Sequence, residues 1–261
     1  NHPRMLGTLR EVSRRGGNIV AINPLKERGL ERFQDPQAAV EMMTNGSTPI
    51  SRYYFQPNVG GDYALMFGML KHLREWDIQA LAAGKKSVFD RSFIEMNTVG
   101  FDAMMEEIDR TAWSDIHTHT GLSPEHLESL AKMYLDAKTA IFCWGMGITQ
   151  HRHGTANVHM LANLMLARGH IGRPGAGLAP IRGHSNVQGD RTMGINERPS
   201  PKLLDSLDRV FGIKSPREHG FGVVDTIQAM YEGDVKVFIG LGGNFAVATP
   251  HTPYTQEGLR R

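Results

Sequence analysis

Short apolar runs that end at glycine or proline alternate with stretches of helical periodicity along this chain. The runs at residues 18–23, 139–144 and 235–239 have the length and apolar composition of buried strands. Between them, apolar residues recur at the spacing of helix faces, and glycines follow several of these stretches. Alternating helices and strands pack as parallel or mixed sheets covered by helices. The sequence therefore predicts an α/β fold with three α/β/α layers.

The charge balance argues against a protein that binds nucleic acid through a basic surface. The 261 residues include 29 Lys and Arg against 27 Asp and Glu, for a formal net charge of +2. No apolar run approaches the roughly 20 residues of a membrane span. We therefore expect neither nucleic acid nor a membrane among the partners. The single cysteine, Cys143, excludes disulfides within this chain and iron–sulfur clusters held by its own thiolates.

Glycine-rich turns follow two of the predicted strands, at residues 145–147 and 240–243. In open α/β sheets, ligands bind outside the carboxyl ends of the strands, where glycine lets backbone N–H groups approach a phosphate. The alternative is that these glycines only end the strands. Their recurrence favours a nucleotide or dinucleotide site. A nicotinamide site is disfavoured, because Phe245 stands at the third glycine position of that pattern.

Capping chemistry predicts two helix starts. Ser123 supplies an N-cap hydroxyl, Pro124 fits the first helical position, and Glu125 follows as an acid. A second helix opens at residues 60–62, where Asp62 fits either a cap or a first-turn acid that the helix dipole favours.

Histidine and cysteine patterns do not indicate a metal site. Cys143 lies within a predicted strand, so we expect a buried structural thiol. Two pairs of histidines have one residue between them, but they lack the partners that mark zinc sites. We expect these to be loop or cofactor-edge histidines, with no metal held by this chain's side chains. The pairs are His117 with His119 and His151 with His153.

A long glycine- and proline-rich connection at residues 169–189 is unusual for a compact domain and indicates a functional segment. Together with residues 144–150, it closely resembles the large (alpha) catalytic subunit of molybdopterin oxidoreductases, particularly the formate dehydrogenase group. The resemblance extends to the Asn-His-Pro, Ile-Asn-Pro and Gly-Gly-Asp motifs and to the second glycine turn. These lie at residues 1–3, 22–24, 60–62 and 240–244.

The resemblance implies a molybdenum or tungsten ion held by the dithiolenes of two molybdopterin guanine dinucleotides. A carboxylate such as Asp62 would then accept hydrogen bonds from guanine, although a helix cap remains the alternative. Asn186 and Gln188 would brace the loop or the pterin. The complete set of implied cofactor contacts is Asn1, His2, Asn23, Asp62, Met146, Gly147, Thr149, Gln150, Gly183, Asn186, Gln188, Gly240, Gly242 and Asn244.

Two further residues are implied to act in catalysis. Arg182 matches an arginine that lies beside the metal and holds an anionic substrate, for which the planar guanidinium fork is suited. Its alternatives are a cofactor phosphate or an aspartate between domains. His184 stands where formate-using relatives commonly have glutamine. An imidazole could transfer protons, and this departure leaves the small anionic substrate open.

The resemblance also implies a cytoplasmic protein with an electron-transfer partner. In the family, the iron–sulfur cysteines and the metal-ligating cysteine or selenocysteine precede the segment that matches Asn1. We therefore expect an iron–sulfur cluster only upstream, and a chain that is inactive by itself. The alternative is a non-catalytic nucleotide-binding or regulatory module on the same scaffold.

Two domains are expected from the order of the motifs. Residues 1–182 would form a first α/β cofactor-binding domain. Residues 183–261 would form part of a second one that upstream sequence completes. An unpaired sheet edge in this second part would invite self-association.

Overall fold

The computed structural model describes residues 3–184, 186–194 and 198–261. Its internal contacts divide the chain into two compact units, Asn1–Gly183 and His184–Arg261. The predicted site residues Asn1 and His2 lie outside the described residues.

The first unit alternates helices with short strands. In chain order they are α1 (Pro3–Arg14), β1 (Val20–Ile22), α2 (Arg28–Glu31), β2 (Arg32–Phe33), α3 (Ala39–Thr44), β3 (Thr48–Pro49), β4 (Tyr53–Phe55), α4 (Asp62–Ala82), α5 (Arg91–Asn97), α6 (Phe101–Arg110), α7 (Trp113–Thr120), α8 (Pro124–Asp136), β5 (Ile141–Trp144), α9 (Met146–Thr149), α10 (Gly154–Ala167) and β6 (Gly177–Pro180).

The strands of this unit pair in sheets of two. Strands β1 and β4 are parallel, with Ala21 opposite Tyr54, and β5 and β6 are parallel, with Cys143 opposite Ala179. Strands β2 and β3 form an antiparallel pair. Helices surrounding parallel strand pairs confirm the predicted α/β class. Each described sheet has two strands, so the sheets are narrower than we expected from the alternation of helices and strands.

Helix α4 forms the centre of the core. Helices α6, α7, α8 and α10 all pack against it. Leu65, Leu70 and Leu73 on α4 are buried together with Leu127 and Leu164 from the surrounding helices. Burying a leucine side chain stabilises the fold by about 1.5–3 kcal/mol. Charged residues nevertheless interrupt α4, and none of the described helices combines the length and hydropathy of a membrane span.

The predicted start of α8 is confirmed. Ser123 is the N-cap, its side chain accepts a hydrogen bond from the backbone N–H of His126, and proline occupies the first helical turn. This arrangement satisfies an N–H group that the helix itself cannot pair. Helix α10 ends at Ala167, and Gly169 follows its C-cap Arg168 with a φ of 59°, a left-handed conformation that glycine adopts without strain.

A buried carboxylate joins the second half of α4 to the turn before α5. Asp77 is completely buried and accepts hydrogen bonds from Ser87 Oγ (2.5 Å), the backbone N–H of Val88 (2.9 Å) and Arg91 (2.5 Å). Because the carboxylate has these three donors, its burial is compensated.

The second unit consists of short helices. They are α11 (Val187–Thr192), α12 (Pro201–Phe211), α13 (Val223–Glu232), α14 (Phe245–Ala248) and α15 (Thr252–Gly258). The prediction of a buried strand at residues 235–239 is wrong for this structure. That segment has no strand partner in the described chain, and Val237 and Ile239 are 76% and 84% exposed. A strand apolar on both faces needs neighbouring strands and covering helices. The self-association of this unit stays a prediction.

A fully buried imidazole lies just after α10. The ring of His170 meets Tyr134 edge-on, with the centroids 5.3 Å apart, and both of its ring nitrogens lack hydrogen-bond partners among the described residues. Burial, with the nearby charges of Arg173 and Arg168, lowers the pKa of His170 to about 4. The carboxylate of Asp90 opposes this shift.

We expect the first unit to lose stability as the pH falls from about 6.5 towards 4. In this range the unfolded chain protonates His170 and the folded chain does not, so acid favours unfolding. The slope from this group is up to about 1.4 kcal/mol per pH unit. The substitution His170→Phe should remove this contribution to the pH dependence of the free energy of unfolding. The measurement is urea unfolding at several pH values, followed by tryptophan fluorescence, because Trp76, Trp113 and Trp144 all lie in the first unit.

The matched control is His159→Phe on α10, since His159 is exposed. This variant should keep the wild-type dependence on pH. If His170→Phe keeps the wild-type slope of the free energy of unfolding against pH, the dependence does not come from His170.

Candidate functional site

The carboxyl ends of β5 and β6 lie side by side. Trp144 and Pro180 are opposite each other at the ends of the two strands, and the backbone N–H of Ile181 donates to the Trp144 carbonyl over 2.7 Å. The chain therefore leaves towards Gly145 and towards Arg182 from the same edge. This is the position where open α/β sheets bind ligands.

The turn at residues 145–150 brings several predicted site residues together. The carbonyl of Met146 accepts hydrogen bonds from the backbone N–H of Gln150 (2.7 Å) and from Thr149 Oγ1 (3.3 Å). A Cβ placed on Gly183 would lie 3.5 Å from Met146 Cε. The edge thus gathers Met146, Gly147, Thr149, Gln150 and Gly183, five of the residues predicted to contact a cofactor.

Helix α10 begins directly behind this turn. Gly154, its first residue, packs so closely that a Cβ there would lie 2.1 Å from the Thr149 carbonyl oxygen. No side chain caps this helix end and its first turn has no acid. Such an end favours negatively charged ligands. A cavity of about 270 Å³ adjoins it, lined by Thr149, Gly154, Thr155, Val158 and His159.

The second parallel pair places Asn23 and Asp62 near its own carboxyl edge. The backbone N–H of Asn23 donates to the Phe55 carbonyl (3.0 Å), which continues the β1–β4 pairing by one residue. After β4 the chain reaches Gly61, where a Cβ would lie 2.6 Å from the His119 carbonyl oxygen, so this turn requires glycine. Asp62 is then the first residue of α4, and Gly61 is the N-cap.

Asp62 is a first-turn acid rather than the cap of its helix. Its carboxylate is half-buried, and burial raises its pKa. A hydrogen bond to its own backbone N–H and the positive charge of His151 both act in the opposite direction. His151 follows Gln150 directly, so the turn after β5 lies close enough to the first turn of α4 for the charge of His151 to act on Asp62. Sequence reasoning treated His151 only as a loop or cofactor-edge histidine, because its neighbour Asp62 is distant along the chain.

The prediction that Cys143 is buried is wrong, since its side chain is exposed. Successive residues of β5 point to opposite sides. Phe142 packs against the core, whereas Cys143 and Ile141 face the side that the described helices leave uncovered.

The remaining predicted residues lie on or next to exposed loops. Arg182 is exposed at the end of the first unit, and His184 is exposed at the start of the second. Asn186 is the N-cap of α11, which contains Gln188. A Cβ on Gly189 would lie 2.4 Å from Asn186 Oδ1, so the start of this helix is tightly packed.

The second glycine turn also belongs to the second unit. Gly242 and Gly243 have φ angles of 70° and 74°, which glycine adopts without strain. Asn244 follows as the N-cap of the four-residue helix α14. Gly240 precedes them, directly after the segment that does not form a strand.

Parallel strand pairs among helices, with the turns after β5 and β6 at one edge, define an α/β protein of the kind that binds ligands at the carboxyl ends of its strands. The chain belongs to the molybdopterin oxidoreductase family, whose sequence profile matches residues 85–258. Membership implies a molybdopterin cofactor with its metal.

Relatives match nearly the whole chain. It is 49% identical over 264 residues to "Protein YdeP" of Escherichia coli O6:H1 (strain CFT073), an alignment covering 99% of this chain and 35% of that protein. It is 45% identical to "Uncharacterized oxidoreductase Rv2900c" of Mycobacterium tuberculosis (strain H37Rv), covering 100% and 33%. "Putative formate dehydrogenase YrhE" of Bacillus subtilis is 25% identical, covering 97% and 27%. The chain thus spans about a third of the length of these first two relatives.

Acetylene hydratase from Pelobacter acetylenicus has a similar structure. The TM-score is 0.58 at 16% sequence identity, and the superposition covers 98% of this chain and 35% of that enzyme. At this identity, the similarity shows the fold alone.

Gly154→Ala should displace the turn that carries Thr149, because the new Cβ would otherwise lie 2.1 Å from a carbonyl oxygen. We expect the free energy of unfolding of the first unit to fall by about 1–3 kcal/mol. This free energy of unfolding is measured by urea titration, with tryptophan fluorescence as the signal. Gly7→Ala on α1 is the control, since a Cβ at Gly7 meets nothing within 4 Å. A variant at Gly154 as stable as this control would contradict the packing argument.

Proposed function

We propose that this chain is the central cofactor-binding part of an oxidoreductase that holds two molybdopterin guanine dinucleotides and acts on a small anion, with formate the first candidate. The observation that carries the proposal is the shared edge of β5 and β6. There the 145–150 turn meets Gly183, the residue that follows Arg182. Family membership accounts for the molybdopterin and its metal. The dinucleotide form, the number of cofactors and the substrate are our proposal.

The residues at this edge fit such a cofactor by their chemistry. Pterin and pyrophosphate groups need N–H, hydroxyl and amide partners, and the turn offers Thr149, Gln150 and a backbone open at Gly147, where a Cβ would meet nothing within 4 Å. The uncapped start of α10 adds a partial positive charge. Asp62 is the one carboxylate in the proposed contact set, and it matches the paired N–H donors of guanine.

Each part of the proposed site has a distinct role. Asn23 and Asp62, with Asn1 and His2, would hold one nucleotide half. The 145–150 turn would contact the cofactor, and Asn186 and Gln188 would brace the loop or the pterin. The second nucleotide half would be held by Gly240, Gly242 and Asn244.

When bound, the metal and its dithiolenes supply two-electron redox chemistry. Arg182 would bind the carboxylate of formate through its guanidinium and orient it. Oxidation of formate to carbon dioxide releases two electrons and one proton. The electrons would pass to a redox partner, and an imidazole nitrogen of His184 would accept the proton.

The second unit would be completed by polypeptide outside this chain. The relatives are about three times as long, and the exposed apolar side chains of residues 235–239 support this proposal. A cytoplasmic location follows from the resemblance alone and stays a prediction.

The full-length protein should contain about one molybdenum or tungsten ion and two guanine nucleotides per chain. Elemental analysis and chromatography of the nucleotides released by acid measure both. The absence of metal and nucleotide together would contradict the proposal. Guanine nucleotide without metal would favour the non-catalytic nucleotide-binding alternative.

Arg182→Ala in the full-length protein should leave the metal content near the wild-type value while formate-dependent dye reduction falls at least about 100-fold. Arg182→Lys keeps the charge but loses the planar fork, so it should recover part of the activity. Arg209→Ala, on the exposed side of α12, is the control. Equal loss of metal and turnover would make Arg182 a structural residue. A metal-loaded wild type that is inactive on formate would exclude formate as the substrate.

A further inference from the structure

The 145–150 turn cannot be stable by itself. Helix α9 has four residues, which is far below the length at which an isolated helix forms in water. Within the turn the hydrogen bonds are local, from Ile148 to Gly145 and from Thr149 and Gln150 to Met146. Among the described residues, one hydrogen bond reaches this turn from a packed helix, and its donor is Asn157 on α10.

Asn157 is placed to hold the turn. Its side chain is 2% exposed, and its Nδ2 donates to the carbonyl oxygen of Ile148 over 2.9 Å. Since a carbonyl oxygen only accepts, this contact determines which end of the amide faces the turn. The Oδ1 atom is buried without a partner among the described residues. Because burying that atom is unfavourable, apolar packing alone does not explain an asparagine at this position.

The same face of α10 carries a second constraint on the turn. Gly154 lies three residues before Asn157, so both face the same side of the helix. Gly154 allows the Thr149 carbonyl to approach, and Asn157 binds the neighbouring carbonyl of Ile148. Two successive peptide groups of the turn are thus held against α10. Helix α10 itself packs on α4 in the core.

We propose that Asn157 is a positioning residue for the cofactor site. Its amide fixes the Ile148 carbonyl and thereby the arrangement in which Met146, Gly147 and Thr149 face the cofactor. Asn157 acts through the backbone, without touching cofactor or substrate. The consequence for the cofactor rests on the proposed function, whereas the ordering of the turn does not.

The test uses the full-length protein with Asn157→Leu, which keeps a similar volume and removes the hydrogen bond. Amide hydrogen exchange of residues 146–150 should become about five- to tenfold faster, as expected for the loss of one hydrogen bond. The metal and guanine nucleotide should dissociate during dialysis at least about fivefold faster, while the unfolding midpoint of the first unit changes little. Asn163→Leu on α10 is the matched control, because the side chain of Asn163 is half-buried and makes no hydrogen bond to the described residues.

If Asn157→Leu does not fold, Asn157→Asp replaces it. The aspartate has nearly the same shape, but its carboxylate cannot donate to the Ile148 carbonyl, so the same two changes are expected. Wild-type exchange rates at residues 146–150 in the folded variant would overturn the inference. Faster exchange with unchanged cofactor loss would also overturn the positioning role. A wild-type protein without metal and nucleotide would instead overturn the proposed function, and hydrogen exchange would still test the ordering of the turn.

Discussion

Burial of α4 among α6, α7, α8 and α10 is the interaction on which the structure of the first unit depends. This helix begins at Asp62, and α10 begins at Gly154, directly behind the 145–150 turn. Packing α10 on α4 therefore places the turns that follow β4 and β5 near each other. At the first turn of α4, the positive charge of His151 opposes the effect of burial on the pKa of Asp62. A nonpolar core thus positions polar groups that are distant along the chain.

Most of the predicted cofactor contacts are backbone or neutral polar groups, which agrees with a formal net charge of only +2. The short turn at residues 145–150 leads to the uncapped start of α10, which provides local positive potential without a basic surface. Such turns have little stability of their own. Their geometry comes from a few close contacts to packed helices, such as those made by Gly61, Gly154 and Asn157. The binding groups and the groups that order them are therefore different residues.

The second unit differs in how much of its apolar surface is covered. Its described core includes Ile227, Ala229 and Met230, while Val237 and Ile239 face solvent. The apolar run at residues 235–239 predicts a strand, but a strand forms only where neighbours accept and donate its backbone hydrogen bonds. The relatives are about three times as long as this chain. A local pattern therefore describes what the segment can form, and the presence of partners decides whether it does.

The sequence by itself determined the α/β class and the capped start of α8 at Ser123, since these follow from periodicity and capping chemistry. Only the tertiary structure decided that Cys143 is exposed, that His151 lies near Asp62 and that Asn157 holds the Ile148 carbonyl. Periodicity records which side chains are apolar. It does not record which faces become covered or which distant residues meet, because those outcomes depend on how the whole chain packs.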